Sequence, residues 1–171
     1  MPRVAAVRTY LELPDPGALR RAAAPSPQAR VELVADVAPE LARRLYVAVG
    51  RDYHWRDRLG WTDAQWRARF AAPGVSLHVL RVADEPAGYV ELQKHADGSV
   101  EIAYFGVAPA FHRRGLGKFL LTAAADTAWA EGATRVWLHT CTLDDPAALP
   151  NYVARGFRPF REERYEADLP D

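Results

Sequence analysis

A short basic segment with two glycines, residues 113–118, has the residue types needed to bind a phosphate group. Its sequence is Arg-Arg-Gly-Leu-Gly-Lys, and it follows an apolar stretch that ends at Pro109. The apolar residues after it predict a helix, so the segment lies where that helix begins. N–H groups in the first turn of a helix lack intrahelical partners, and the helix dipole is positive there. Because glycines leave room for an anion and three cations add charge, the segment predicts a phosphate or pyrophosphate site.

Two common phosphate-binding motifs do not fit this segment. A Walker P-loop requires a glycine five residues before Gly117 and Ser or Thr after the lysine, but His112 and Phe119 occupy those positions. A dinucleotide fingerprint requires a third glycine three residues after Gly117, where the chain has Leu120. A glycine-rich turn between a strand and a helix, without a ligand, is the alternative to a different phosphate loop.

The composition excludes several classes of protein. The chain has 171 residues with 22 basic and 22 acidic side chains, so its net charge favours neither nucleic acid nor a membrane surface. The single cysteine, Cys141, excludes an internal disulfide and fits a reducing compartment. No apolar stretch approaches the roughly 20 residues that span a bilayer, and the N-terminus lacks an apolar signal core. We therefore expect one soluble, cytoplasmic domain that binds neither nucleic acid nor membrane.

The elements that must position the basic segment form a mixed α/β pattern. Helices are predicted at 40–49, around 63–70, after residue 118 and before Gly156, with strands at 31–34, 75–82, 87–93, 99–107, 134–142 and 157–165. The order is not a regular βαβ repeat, so we expect a mixed sheet covered by helices.

The two ends of the chain are predicted to lie outside this domain. Residues 1–30 contain a short strand at 8–13 and a linker at 22–27 that is rich in alanine and proline. We expect this extension to add or cover an edge strand, in the same chain or in a partner subunit of a homodimer. Residues 166–171 form an acidic tail that is expected to be loose.

Residues 50–61 combine aromatic and charged side chains without a helical or strand period. A short helix follows them, capped by Thr62 or Asp63 and ended by the Pro-Gly pair at 73–74. Aromatic rings and guanidinium groups between two helices can form the wall of a ligand pocket. They can equally cover the core, because Trp and Tyr often keep one edge in water. Both interpretations stay open.

Two motifs together resemble the GNAT family of N-acetyltransferases. Residues 112–117 are similar to the family's acyl-CoA pyrophosphate loop, R/Q-x-x-G-x-G/A, with His112 in place of the first residue. Residues 145–157 are similar to the family's N-x-x-A-x-x-L-Y-x-x-x-G-F, with Asp145 for asparagine and Asn151 for leucine. The motifs occur in the family's order, on either side of a predicted strand.

The resemblance covers about residues 31–165 and implies the GNAT fold. That fold is an α/β (α+β) architecture, in which helices flank a central, mixed and mostly antiparallel sheet. Residues 1–30 would be an N-terminal extension to it. The co-substrate implied is acetyl-CoA, with no metal.

The resemblance also implies where acetyl-CoA binds. In this family the strand before the loop diverges from its neighbour, and its backbone pairs with the pantetheine arm. By register, Phe105 and Val107 have this role here, and Gly106 between them suits a β-bulge. The full set of expected cofactor-binding residues is Phe105, Val107, Arg113, Arg114, Gly115, Leu116, Gly117, Lys118 and Asp145.

Acyl transfer to an amine requires a base for the ammonium proton and an acid for the leaving thiolate. Glu101 resembles the glutamate that several relatives use as the base, and Glu91 on the neighbouring strand is the alternative. Either could instead be a solvated strand residue. Tyr152 matches the family's general acid, with a packing role as its alternative.

His139 and Cys141 alternate along one strand and therefore share a face. We expect His139 to line the acceptor cleft and Cys141 to be a small buried residue, and we predict no metal site. The residues expected to bind the acceptor are Tyr53, Trp55, Trp61, Glu91 and His139.

The sequence thus predicts an N-acetyltransferase that moves acetyl from acetyl-CoA to a primary amine by direct attack. The acceptor can be a small molecule, an amino acid, an antibiotic or a peptide, and the aromatic segment favours a small molecule. Two alternatives are a CoA-binding regulatory domain without turnover and an acyltransferase that uses a longer acyl chain.

Overall fold

The computed structural model describes residues 2–169, which form seven strands and four helices. In chain order these are β1 (Arg3–Leu13), β2 (Ala29–Val34), α1 (Pro39–Gly50), α2 (Asp63–Ala71), β3 (Val75–Val82), β4 (Glu85–Lys94), β5 (Val100–Val107), α3 (Leu116–Ala130), β6 (Val136–Cys141), α4 (Ala148–Ala154) and β7 (Arg158–Asp168). The predicted fold class is confirmed. Among the described residues, no helix has the length and apolar character needed to cross a bilayer.

All seven strands belong to one sheet, in the order β2-β3-β4-β5-β6-β1-β7. Neighbouring strands are antiparallel except β5 and β6, which run parallel. Parallel neighbours require a crossover connection, and α3 provides it by packing on one face of the sheet. The crossover therefore places the N-terminus of α3 just beyond the end of β5.

The N-terminal strand lies inside the sheet. β1 pairs with β6 on one side and with β7 on the other, and its Leu11 and Leu13 side chains are fully buried. The predicted edge strand is therefore wrong: β7, most of which is exposed, forms that edge. Residues 166–168 continue β7 and are not a loose tail, whereas Pro170 and Asp171 lie outside the described residues.

The two faces of the sheet are covered differently. α3 and α4 cover one face with a large apolar cluster that includes Leu120 and Leu121, which are fully buried. Burying such a side chain stabilises the fold by about 1.5–3 kcal/mol. α1 and α2 cover the other face over β3, β4 and β5, through Leu45 and Val49 of α1 and Phe70 of α2.

Local sequence signals account for the start of α2 and for the turn between β3 and β4. Thr62 caps α2 in a capping box with Gln65, which confirms one of the two predicted caps. The turn between β3 and β4 is formed by Ala83 and Asp84, both with positive φ, so it begins one residue earlier than predicted. Glu85 and Pro86 already belong to β4.

The divergence of β5 from β6 creates the cleft described below. Their only described pairs are Val100 with Val136 and Glu101 with Trp137, so the strands separate beyond Glu101. A bulge at Ala103 adds a residue to β5 opposite β4. The predicted bulge at Gly106 is therefore wrong. Glycine is required at this position for another reason, because a Cβ there would clash with the Val49 side chain.

Candidate active site

The cleft opens between β5 and β6 and has a volume of about 1230 Å³. This exceeds the roughly 300–1,000 Å³ of common small-molecule pockets. Its walls come from residues 101–107 of β5, the loop before α3, residues 139–148, residues 53–57, and the facing parts of β1 and β7.

The start of α3 forms one end of the cleft. Gly115 is the N-cap residue with φ of 73°, and no side chain caps the helix. The first N–H groups of α3 therefore have no side-chain partner. Gly117 lines the cleft, and a Cβ added there would meet only the Asn151 side-chain nitrogen, at 3.8 Å. This arrangement fits an anion held by backbone amides.

The other residues of the loop have distinct positions. Arg113, with φ of 62°, lines the cleft. The Arg114 guanidinium lies 5.3 Å from the centre of the Phe111 ring. Leu116 is buried in the core, so only its backbone can contact a ligand, and Lys118 lies outside the cleft walls. Of the six residues, Arg113 and Gly117 line the cleft, whereas the side chains of the other residues do not.

His112 has a structural role that the sequence did not reveal. Its Nε2 donates a hydrogen bond to the carbonyl oxygen of Val107, at 2.7 Å. The imidazole therefore links the loop to the end of β5. Val107 still lines the cleft beside Phe105, and the side chains of both pack against the core under α3.

Tyr152 enters the cleft from α4. Its ring is buried, with its centre 5.9 Å from that of Phe105. Burial raises its pKa well above the usual value for a tyrosine, and the nearby Asp144 and Asp145 add to this. The phenol is therefore protonated at neutral pH. Pro150 lies within the first turn of α4, where proline is tolerated, so it does not displace Tyr152.

Glu101 lies on the floor of the cleft, with 14% of its side chain exposed. Its Oε1 is 2.9 Å from Nε2 of His95, which follows β4. Glu101 is therefore accessible from the cleft and hydrogen-bonded to His95. His95 does not itself line the cleft, and no pattern in the sequence indicated that it would contact Glu101.

Glu91 is not an acceptor ligand or an alternative base, and this corrects the sequence-based expectation. Its side chain is fully buried and binds two arginines. Arg58 donates to its two oxygens at 2.6 and 2.9 Å, and Arg69 donates to one of them at 2.8 and 3.0 Å. Because the Glu91 carboxylate is buried and paired with both arginines, a ligand in the cleft cannot reach it, and its role is to stabilise the fold.

Arg58 explains the aromatic residues around it. Its guanidinium lies 4.6 Å from the centre of the Trp61 ring and 4.1 Å from that of Tyr104. Trp61 packs against Trp66 at 4.9 Å and does not line the cleft, so its predicted acceptor role is wrong. Trp55 does line the cleft and also packs against Tyr104 at 5.2 Å. Residues 51–61, the roof segment, therefore serve both the core and the site.

One hydrogen bond connects the roof segment to the loop that follows β6, across the cleft. The hydroxyl of Tyr53, in the roof segment, donates to Oδ2 of Asp145 at 3.1 Å. Burial raises the pKa of Tyr53 to about 12, and Asp145 contributes to the shift. Asp145 also accepts from the backbone N–H of Ala147. Both residues line the cleft.

The wall opposite the roof segment is formed by β6, β1 and β7. His139 lines this wall, and its side chain is exposed. Neighbouring protein atoms partly desolvate the ring and lower its pKa, and the nearby charge of Arg8 lowers it further, so the imidazole is neutral at pH 7. Cys141 also lines the cleft and is partly accessible, not fully buried as predicted.

Arg8 and Tyr165 complete this wall. The sequence indicated neither residue, because both reach the cleft through the pairing of β1 with β6 and β7, which was not predicted. Within residues 2–169, no three side chains of His, Cys, Asp or Glu are grouped so that they could hold a metal ion.

Solved structures with the same fold include several acetyltransferases. A GCN5-related N-acetyltransferase from Kribbella flavida superposes with a TM-score of 0.64 and 22% identity, over 95% of this chain and 57% of that one. The ribosomal-protein-S18-alanine N-acetyltransferase from Escherichia coli gives 0.60 and 18%, over 76% and 77%. An aminoglycoside acetyltransferase from an uncultured soil metagenomic sample gives 0.63 and 14%, over 75% and 88%. No curated protein matches this chain significantly.

The chain thus spans little more than half the length of the Kribbella flavida protein. At these identities, the structures establish the fold alone. The family model supplies the assignment, because the model of the acetyltransferase (GNAT) family matches residues 36–157, well over half of the chain. These residues contain the loop before α3, the divergence of β5 and β6, and Tyr152. The chain belongs to the acetyltransferase (GNAT) family.

Proposed function

We propose that this chain transfers an acetyl group from acetyl-CoA to a primary amine by direct attack in a ternary complex. The observation that carries the proposal is one cleft with anion-binding amides at its end, a protonated tyrosine in one wall and an accessible carboxylate on its floor. Direct transfer requires both substrates at once, and the size of the cleft supports this.

The residues present fit acetyl-CoA, which supplies an activated acetyl thioester when bound. The amides at the start of α3 and the Arg113 side chain would hold its pyrophosphate. The backbone of β5 beyond Glu101 is no longer paired with β6 and would hold the pantetheine arm. Asp145 lies at the cleft beside Tyr53 and would close over the same arm.

Tyr152 and Glu101 have the properties that the two proton transfers require. The Tyr152 phenol keeps its proton at neutral pH and can donate it to the leaving thiolate. Glu101 is open to the cleft and can accept the ammonium proton, directly or through water, and pass it to His95. Positioning of the two substrates by the rigid sheet supplies the rest of the acceleration.

The acceptor side of the cleft is lined by aromatic side chains. Tyr53 and Trp55 lie on one side and Tyr165 on the other, which favours a small molecule or a peptide end over a folded protein surface. Similar folds include enzymes named for an alanine of a ribosomal protein and for aminoglycosides. Both acceptor types therefore belong in the test panel.

The test is release of free thiol from acetyl-CoA in the presence of a panel of amines, amino acids, peptides and aminoglycosides. We expect acetylation of at least one class. CoA binding by calorimetry without any thiol release would contradict the proposal and favour a regulatory CoA-binding domain. Faster turnover of a longer acyl-CoA than of acetyl-CoA would instead identify a different acyl donor.

A further inference from the structure

Arg8 enters the acceptor side of the cleft because β1 lies inside the sheet. Its Cα is opposite that of Cys141 in β6 and that of Glu163 in β7. The side chain lies on the same face as His139, whose ring packs against Tyr10 at 5.5 Å, and it lines the cleft. The N-terminal strand therefore contributes a positive charge to the acceptor wall.

The Arg8 guanidinium is oriented by the Tyr165 ring and by the Tyr10 hydroxyl, and these two contacts leave most of its five N–H donors free. It lies 4.8 Å from the centre of the Tyr165 ring, a contact that fixes its plane but leaves its edge free. Its nearest carboxylate oxygen, Oε2 of Glu163, is 3.6 Å from Nη1, beyond hydrogen-bonding distance. The Tyr10 hydroxyl already donates to that same oxygen at 2.9 Å. Arg8 therefore keeps donors available, with 35% of its side chain exposed.

The other arginines of the cleft are placed differently. Arg69 is occupied by Glu91 and Gln93, and Arg113 lies in the loop that precedes α3. Arg56 is exposed in the roof segment, across the cleft. Arg8 is thus the guanidinium on the wall shared with His139, and an anion bound there would lie within the acceptor space.

We propose that Arg8 binds a carboxylate of the acceptor, so that the acceptor is an amine that also carries a carboxylate. A planar guanidinium with free N–H groups matches a carboxylate in a two-bond arrangement. A doubly charged phosphate fits less well, because the carboxylates of Glu163 and Asp144 lie near the same wall and would repel it. The proposal rests on the proposed acetyl transfer and names the acceptor class for it.

The register indicates how far apart the two groups of the acceptor lie. Glu101 is level with Trp137 on β6, whereas Arg8 is level with Cys141, four residues further along. At about 3.3 Å per residue this is roughly 13 Å along the strand, before the side chains reach toward each other. Acceptors with several bonds between amine and carboxylate, such as ω-amino acids or dipeptides, therefore suit the site better than α-amino acids.

The test compares acceptors that carry both an amine and a carboxylate with matched acceptors in which the carboxylate is replaced by a neutral primary amide. The probes are ω-aminohexanoate and dialanine, each beside its primary amide. Wild-type protein is expected to show the higher kcat/KM for the acids. In Arg8→Gln the preference is expected to fall about 10- to 100-fold, the range for loss of a hydrogen bond to a charged group, while the amides are used as before. Arg8→Lys should keep part of the preference.

A matched control is Arg161→Gln, which removes the same charge from a residue that stacks on Tyr10 outside the cleft and should preserve the preference. Calorimetry with CoA present supplies a second readout that needs no turnover: wild type should bind the acids more tightly than the amides, and Arg8→Gln should not. Equal binding of acids and amides by wild type would overturn the proposal. So would loss of the preference in Arg56→Gln but not in Arg8→Gln.

Discussion

Single residues of this site are set by the environment that the fold creates around them. Tyr152 is a buried phenol with a raised pKa, and Glu101 is an accessible carboxylate beside His95. Glu91, another glutamate on a neighbouring strand, is locked between two arginines. Residue type alone could not separate the two glutamates, because burial and pairing are decided by residues 22 and 33 positions away.

We predict that Tyr152→Phe lowers kcat by about 10²–10⁴-fold and leaves CoA affinity unchanged. The ring contacts with Phe105 survive, so only the proton donor is lost. Because the phenol's pKa is raised, wild-type kcat should not fall through its deprotonation below about pH 10. Steady-state kinetics and CoA calorimetry check this, with Tyr104→Phe as a tyrosine control from the same cleft. Equal kcat in wild type and Tyr152→Phe would leave Tyr152 a packing residue.

Gly117→Glu is expected to abolish CoA binding, because it places bulk and negative charge where the amides of α3 face an anion. Gly117→Ala is the matched control. Its Cβ would meet only the Asn151 side chain, at an ordinary 3.8 Å, so it should fold and bind CoA within a few-fold of wild type. Calorimetry on both folded variants decides the point. Unchanged CoA affinity in Gly117→Glu would remove the pyrophosphate site from this loop.

At the scale of elements, the roof segment depends on one buried charge cluster. Glu91 on β4 binds Arg58 of the segment and Arg69 of α2, and Arg58 in turn supports Trp61 and Tyr104. The segment has no regular period, so its two open interpretations could not be decided from sequence. The structure shows that both apply: Tyr53 and Trp55 face the cleft, whereas Trp61 covers the core.

Glu91→Gln is therefore expected to destabilise the protein by about 3–5 kcal/mol, since it leaves buried Arg58 without a counter-charge. It should also raise the acceptor KM more than it weakens CoA binding, because the roof segment loosens on the acceptor side. Denaturant unfolding and kinetics measure the two effects. Glu32→Gln makes the same chemical change at a partly exposed ion pair with Arg81 and should have a smaller effect. Similar stability losses in both variants would show that the cluster does not support the segment.

At the scale of the whole molecule, local patterns were sufficient for the elements but not for their arrangement. The loop before α3, the cap of α2 and the order of helices and strands follow from short stretches of sequence. The place of β1 does not, because its neighbours β6 and β7 lie more than 120 residues away. The acceptor wall that β1 supplies was missed for the same reason.

The position of β1 places its Leu11 and Leu13 side chains in the core, and this can be tested with two substitutions in one strand. Leu11 is fully buried between the sheet and α3, so Leu11→Ala should cost about 2–5 kcal/mol of unfolding free energy. Val4, near the exposed start of the same strand, is only partly buried, so Val4→Ala should cost clearly less. Equilibrium unfolding in denaturant measures both.

Because β1 also carries Arg8, Leu11→Ala should disturb acceptor selection before it disturbs CoA binding, which depends on β5 and α3. Thermal shifts on adding CoA should therefore stay near the wild-type value while the preference for carboxylated amines declines. A Leu11→Ala protein with wild-type unfolding free energy would mean that β1 docks loosely. The acceptor wall would then have to be built from β6 and β7 alone.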